Sequence, residues 1–247
     1  MRAEPPAQHA LLDVQAHDAR LDLLTHRLRR LPEVATVDQL QARRAEVATG
    51  LGVQQMTATD LETDVRKADS DVAQVRTRRQ RDQQRLDTGA VGSPRELEKL
   101  QHEVGSLDRR ISVLEDAELE VMEQLDQARA DAAGSERQLV ELDAELSDAT
   151  ARRDESIAEL DRQAALARAE RARAVALVPA DLLALYDKIR AQQGGVGAAA
   201  LRQRRCEGCR LELNAADLRE LAGEPTDAVL RCPECNRLLV RTAESGL

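Results

Sequence analysis

The sequence predicts a mainly α fold: a long antiparallel coiled-coil helical hairpin with a small C-terminal zinc ribbon of α+β type. Three observations lead there. The chain of 247 residues has no Phe, no Trp and one Tyr, Tyr186, while a third of its residues are charged. Large aromatics supply much of the buried area of ordinary cores, so a thick layered core is not expected, and a Leu/Val/Ala set mixed with Glu, Asp, Arg and Gln reads as long helix. Apolar residues recur with alternating spacings of three and four, the signature of a helix seam. All four cysteines, Cys206, Cys209, Cys232 and Cys235, fall in two Cys-x-x-Cys pairs near the end.

The first arm carries its seam at 37, 40, 44, 47, 51, 54, 58, 61, 65, 68, 72, 75, 79, 82 and 86, of which eleven are apolar. Val14, Leu21, Leu24, Leu28 and Leu31 continue it upstream. Pro32 interrupts it, because proline removes a helix hydrogen bond and clashes with the preceding turn; a kink or short break is expected there. The second arm keeps one register from Leu97 and Leu100 through Ile111, Leu125 and Leu142 to Ala167. Between the arms lies the tip, 87–96, within "DTGAVGSPREL". Gly89 and Gly92 end the first helix. Ser93 can cap the second, with Pro94 in its first turn and Glu96 reaching back as a capping box. Arms of nearly equal length, each about 120 Å at ~1.5 Å per residue, joined by so short a turn fold back on each other more readily than they form an extended dimer. The expected domains are 1–178, the hairpin, and 179–247, a short helix plus ribbon. "ADLLALYDKIRAQQ" forms that helix, Gly194 and Gly195 end it, and "GGVGAAAL" leads on as a flexible or extended connection.

The cysteine spacing is Cys-x2-Cys-x22-Cys-x2-Cys. Two close thiolate pairs suit a closed tetrahedral site for one structural Zn²⁺ per chain. Iron–sulfur ligation is the main rival for four thiols. A redox dithiol needs one low-pKa thiol, which two separate pairs do not predict, and catalytic zinc needs an open position. Asn236 tolerates the left-handed backbone of a knuckle, whereas Arg210, in the equivalent place, suits it less. "RLEL" and "RLLVR" read as short strands, and "NAADLREL" as a helix capped by Asn214. A module of about forty residues buries too little to hold itself together, so metal should supply its folding free energy.

With these motifs in hand, the chain resembles the bacterial zinc-ribbon proteins with a long helical hairpin, often described as candidate nucleic-acid binders. The tip "SPRELEKLQHEV", the stretch "LYDKIRAQQGGVG" and the paired knuckles carry the resemblance. It implies a non-enzymatic adaptor or regulatory role. Some members are linked to transcription factors, secretion components or RNA, and the family has no one shared target.

Composition narrows the functions further. There is no Gly-rich phosphate loop, no nucleophile elbow and no His–carboxylate cluster, so neither an enzyme nor a small-molecule substrate is expected. The lack of an apolar N-terminal core or spanning run points to the cytoplasm and away from membranes, where reduced thiols favour metal over disulfides. His9, His17, His26 and His102 lie away from the cysteines in sequence and read as helix-surface residues. For a protein partner, the tip residues Arg95, Lys99, Gln101 and His102 are the candidates. For nucleic acid, the candidates are Arg76, Arg78, Arg79, Arg81 and Arg85 near the tip, with Arg202, Arg204 and Arg205 before the first knuckle, since phosphate neutralisation needs such clusters. Against that stands a net charge of −9 and a ribbon without aromatics for base stacking. Charge is also polarised: residues 76–110 hold nine Arg/Lys against six Asp/Glu, and 112–150 hold two against twelve. A factor inserting its hairpin into RNA polymerase would carry an acidic tip; here the turn offers only Glu96.

Overall fold

The computed structural model describes all residues, 1–247. In chain order the elements are α1 (Pro5–Arg29), α2 (Pro32–Asp87), α3 (Pro94–Val175), α4 (Ala180–Gln192), β1 (Ala198–Arg202), β2 (Arg205–Cys206), α5 (Ala215–Gly223), β3 (Leu230–Arg231) and β4 (Leu238–Arg241). They group into two compact units, Ala35–Thr150 and Met1–Val34 with Ala151–Leu247. No helix is long and apolar enough to cross a membrane.

The unit Ala35–Thr150 is the helical hairpin. Every seam position of α2 from 37 to 86 is buried or half-buried, and so is every α3 seam position in this unit except Leu97. Leu97, expected in the seam, is 40 % exposed; it lies beside Val91 and Pro94 at the turn. Polar pairs fix the register alongside the apolar stripe. Arg44 bonds Asp143, Gln55 bonds Glu136 at 3.2 Å, Arg129 bonds Glu62 at 2.6 Å, and Arg79 bonds Asp108 at 2.9 Å. Hydrogen bonding to Arg44 holds the Asp143 carboxyl below its ordinary range. Such exposed pairs each contribute little stability; as a set they disfavour a slipped antiparallel register.

The second unit holds the two apolar clusters of the ribbon region. The break at Pro32 falls as expected: α1 ends at Arg29 and α2 starts at Pro32. Leu28, by contrast, is exposed. The sheet order is β2-β1-β4-β3, with β1 and β4 parallel and Ala198 opposite Leu238. The stretch "AAALR" is therefore a strand, the extended alternative for this connection. Alternation along it serves two cores. Ala198 and Leu238 join Leu11, Val14, Leu182 and Tyr186 on one side. Ala199, Leu201 and Leu239 join Cys206, Cys232, Leu213 and Leu221 on the other. "RLEL" makes only an isolated bridge, Arg205 with Glu212, instead of a strand.

Tyr186 is fully buried, and burial, then its hydrogen bond to Asp18, raises its pKa. Its hydroxyl donates to Asp18 Oδ2 at 2.7 Å. Asp18, itself 5 % exposed, also accepts from Arg171 at 2.6 Å and pairs with Arg190 at 3.5 Å. A buried carboxylate requires such partners. Gln15 Oε1 accepts from the Gly197 amide at 2.7 Å, tying α1 to the entry of β1. A Cβ on Gly197 would lie 2.7 Å from the Tyr186 ring and from its carbonyl oxygen, which explains the glycine in "GGVG" by close approach.

Two substitutions test this junction. Gly197→Ala forces the strand entry off Tyr186 and should cost about 1–3 kcal/mol. Tyr186→Phe leaves Asp18 one donor short and should cost a comparable ~1–3 kcal/mol. Thermal melts read both, and Tyr186 emission, from the protein's one aromatic residue, reports on the Gly197 variant directly.

Candidate metal centre and tip

The two Cys-x-x-Cys stretches form equivalent knuckles. The Arg210 amide donates to the Cys206 carbonyl at 2.7 Å, and the Asn236 amide to the Cys232 carbonyl at 2.8 Å. Both residues are left-handed, with φ of +64° and +60°. Asn236 does what its side chain permits. Arg210 adopts the same conformation against its preference. Gly208 lets the first knuckle sit close: a Cβ there would lie 2.8 Å from Arg237 Cδ and 3.0 Å from Ala199 Cβ. Arg237 in turn donates to the carbonyls of Val196 at 3.0 Å and Gln193 at 2.9 Å, fixing the glycine-rich segment against the second knuckle. Asn214 caps α5 as expected, accepting from Ala216 and Asp217. Arg241 reaches the carbonyls of Leu221, Glu224 and Pro225 at the end of α5.

The four sulfurs lie within 4.8 Å of one another. Cys206 and Cys235 are 4.0 Å apart, and Cys209 and Cys232 3.9 Å. A tetrahedron of Zn–S bonds of about 2.3 Å has edges of about 3.8 Å, so the donor set fits one such cation. A disulfide would need ~2.05 Å. Burial raises the Cys206 and Cys232 thiols. Burial also pushes Cys235 up, but hydrogen bonds from Arg237, Cys232 and Cys209 together outweigh it and hold that thiol low. A divalent cation is what brings such buried sulfurs into thiolate form together. None of the four histidines joins them.

At the tip, the Glu96 amide donates to Ser93 Oγ at 3.3 Å, and Glu96 Oε2 accepts from the Gly92 amide at 3.1 Å. The box closes one residue earlier than its usual form. Arg95, Lys99 and His102 share one groove with Glu98 and Glu103; Gln101 lies off it. Arg95, Lys99, Gln101 and His102 are exposed and have no side-chain partner.

The basic stretch is different. Arg76 pairs with Glu115 at 2.5 Å, Arg78 with Glu103 at 2.5 Å, Arg79 with Asp108 at 2.9 Å, and Arg85 with Glu96 at 3.5 Å. Only Arg81 of the five stays unpaired. Before the first knuckle, Arg202 pairs with Glu244 at 3.4 Å, while Arg204 and Arg205 have no ion-pair partner.

Sequence reasoning missed the docking of the N-terminal segment. The Ala3 amide donates to the Asp227 carbonyl at 2.8 Å. Buried Gln8 donates to the Ala3 carbonyl at 2.7 Å, and His9 bonds the Arg241 carbonyl at 2.8 Å. The available signal was Asp18, a polar residue one helical turn after Val14 where an apolar one would continue the seam.

Relieving Arg210 of its left-handed strain tests the knuckle geometry. Arg210→Gly should stabilise the ribbon by about 1 kcal/mol, seen as a higher denaturant midpoint at unchanged metal content, whereas Arg210→Val should destabilise it.

Comparison with known proteins agrees with this architecture. Residues 14–194 match the CT398-like coiled coil hairpin domain, and residues 205–239 the C4-type zinc ribbon domain. The chain is 35 % identical over 241 residues to an uncharacterized protein of Mycobacterium tuberculosis strain H37Rv, covering 98 % of each. A solved structure from Mycobacterium smegmatis superposes with a TM-score of 0.81 at 35 % identity, covering 98 % of this chain and 100 % of that one. CT398 from Chlamydia trachomatis shares the fold, with a TM-score of 0.61 at 16 % identity over 96 % of this chain and 98 % of that one. The chain thus belongs to the family of CT398-like coiled-coil hairpin proteins, here joined to a C4-type zinc ribbon.

Proposed function

We propose that this protein is a non-enzymatic adaptor of a reducing, cytoplasmic compartment, in which Cys206, Cys209, Cys232 and Cys235 hold one structural Zn²⁺ per chain and the hairpin tip contacts a protein partner. The observation that carries the tip assignment is the contrast in charge pairing. Four arginines of the neighbouring basic stretch are bound to the molecule's own carboxylates, while Arg95, Lys99 and His102 share a groove unpaired. Arg95 and Lys99 lie in the first two turns of α3, and at Arg95, in the first, positive charge is unfavourable by about 0.3–1 kcal/mol. The hairpin itself needs neither of them. That same internal pairing weakens the nucleic-acid alternative, because an arginine already bound to a carboxylate neutralises less phosphate. A transcription- or secretion-related partner fits the resemblance to the family.

The zinc assignment is tested by elemental analysis: close to one zinc per chain is expected, and no metal or iron in its place contradicts it. Cys232→Ser should lose zinc. For the tip, Arg95→Glu with Lys99→Glu should leave helicity and melting temperature almost unchanged. The same double change should abolish co-purification of a native protein partner identified with the original chain; retention of that partner at the same salt sensitivity would remove the tip assignment.

A further inference from the structure

Where α1 gives way to α2, an open groove of about 720 Å³ lies outside both the thiol cluster and the tip. Leu31, Pro32 and Leu160 provide its apolar surface, and Arg27, Arg30 and Arg152 its rim. Of the wall's carboxylates, Glu159 accepts from Arg162 at 2.7 Å and one oxygen of Glu33 accepts from Ser156 at 3.2 Å, while Glu33 Oε2 and Glu155 have no partner, which leaves three unpaired guanidinium groups against two carboxylates. Arg27, Arg30 and Arg152 are exposed and have no side-chain partner. The C-terminus of α1 accounts for cations at 27 and 30 through its dipole; it does not account for Arg152 on α3.

The complement of this groove lies on the same sequence. In the acidic part of α3, Leu119 is 58 % exposed and Met122 43 %. Both stand one turn apart on a helix face. Asp116, Glu120 and Glu123 flank them, exposed and without partners. Two apolar anchors among three free carboxylates match an apolar floor among three free guanidinium groups. We propose that the groove receives the Leu119–Met122 face of α3 from a second copy of the chain, so that molecules associate head to tail. Groove and acidic face are different surfaces, so the contact is heterologous and leaves one surface free at each end of a growing assembly. A contact of this size is smaller than a standard interface, and its exposed charges make it weak and salt-sensitive.

Sedimentation equilibrium of the full chain tests this. In low salt the average mass should rise above the 27.2 kDa chain mass as concentration increases. At about 0.5 M salt the association constant should fall by roughly tenfold or more, because charges beyond ~3–4 Å are then screened. Arg27→Glu with Arg152→Glu should be monomeric in low salt, and so should Leu119→Ser with Glu123→Lys. Mixing these two variants should restore a dimer and nothing larger, since one intact groove then meets one intact acidic face. Unchanged circular dichroism and zinc content establish that both variants are folded. A wild-type chain that stays monomeric in low salt overturns the proposal. So does association that survives either double substitution, or a mixture of the two that stays monomeric.

Discussion

The parallel pairing of β1 with β4 is the constraint on which the ribbon unit depends. Two short strands give one wall to two cores. Ala198 and Leu238 close the cluster around Tyr186, and Ala199 and Leu239 close the cluster around the thiols. Parallel strands need a long crossover between them. Here that crossover contains both knuckles and α5, and the four sulfurs at its ends come within 4.8 Å of one another. Holding those sulfurs together holds the strands in register. The helices then gain a surface to pack on that a free forty-residue module could not present.

Small residues make this sharing workable. Ala198 and Ala199 are thin enough for Tyr186 on one face and the first knuckle on the other, and Gly197 and Gly208 permit closer approach still. The buried polar groups follow the same economy of space. Asp18 accepts the Tyr186 hydroxyl and pairs with Arg171 and Arg190, so one carboxylate joins α1, α3 and α4. Removing any one partner strands a buried charge or dipole, which costs more than the lost contact itself. In the hairpin unit the logic differs. Its seam is thin, its ion pairs are exposed, and its register is specified by many weak interactions acting together.

The hairpin was legible from sequence because its determinants are local and periodic. The positions spaced three and four apart are the covered ones, and Ser93, Pro94 and Glu96 announce the start of α3 within four residues. The knuckles were legible for the same reason. β1 was not: "AAALR" has high helix propensity and no β-branched residue, and it becomes a strand through pairing with residues forty positions away. Nor was the docking of Ala3, Gln8 and Gln15 onto the ribbon, since bonds to residues near 197 and 227 leave no periodic trace in α1. Leu97 followed the period and still lies exposed, beside Val91 and Pro94 at the turn.

The thiol cluster and the Tyr186 core form one cooperative structure joined by β1 and β4. Hydrogen exchange before and after chelation of zinc under reducing conditions tests that cooperativity. Amides of residues 198–202, 238–241 and α4 should lose protection together with the knuckles, while residues 35–150 exchange as before. Loss of protection confined to 206–210 and 232–236, with β1, β4 and α4 unchanged, would contradict it.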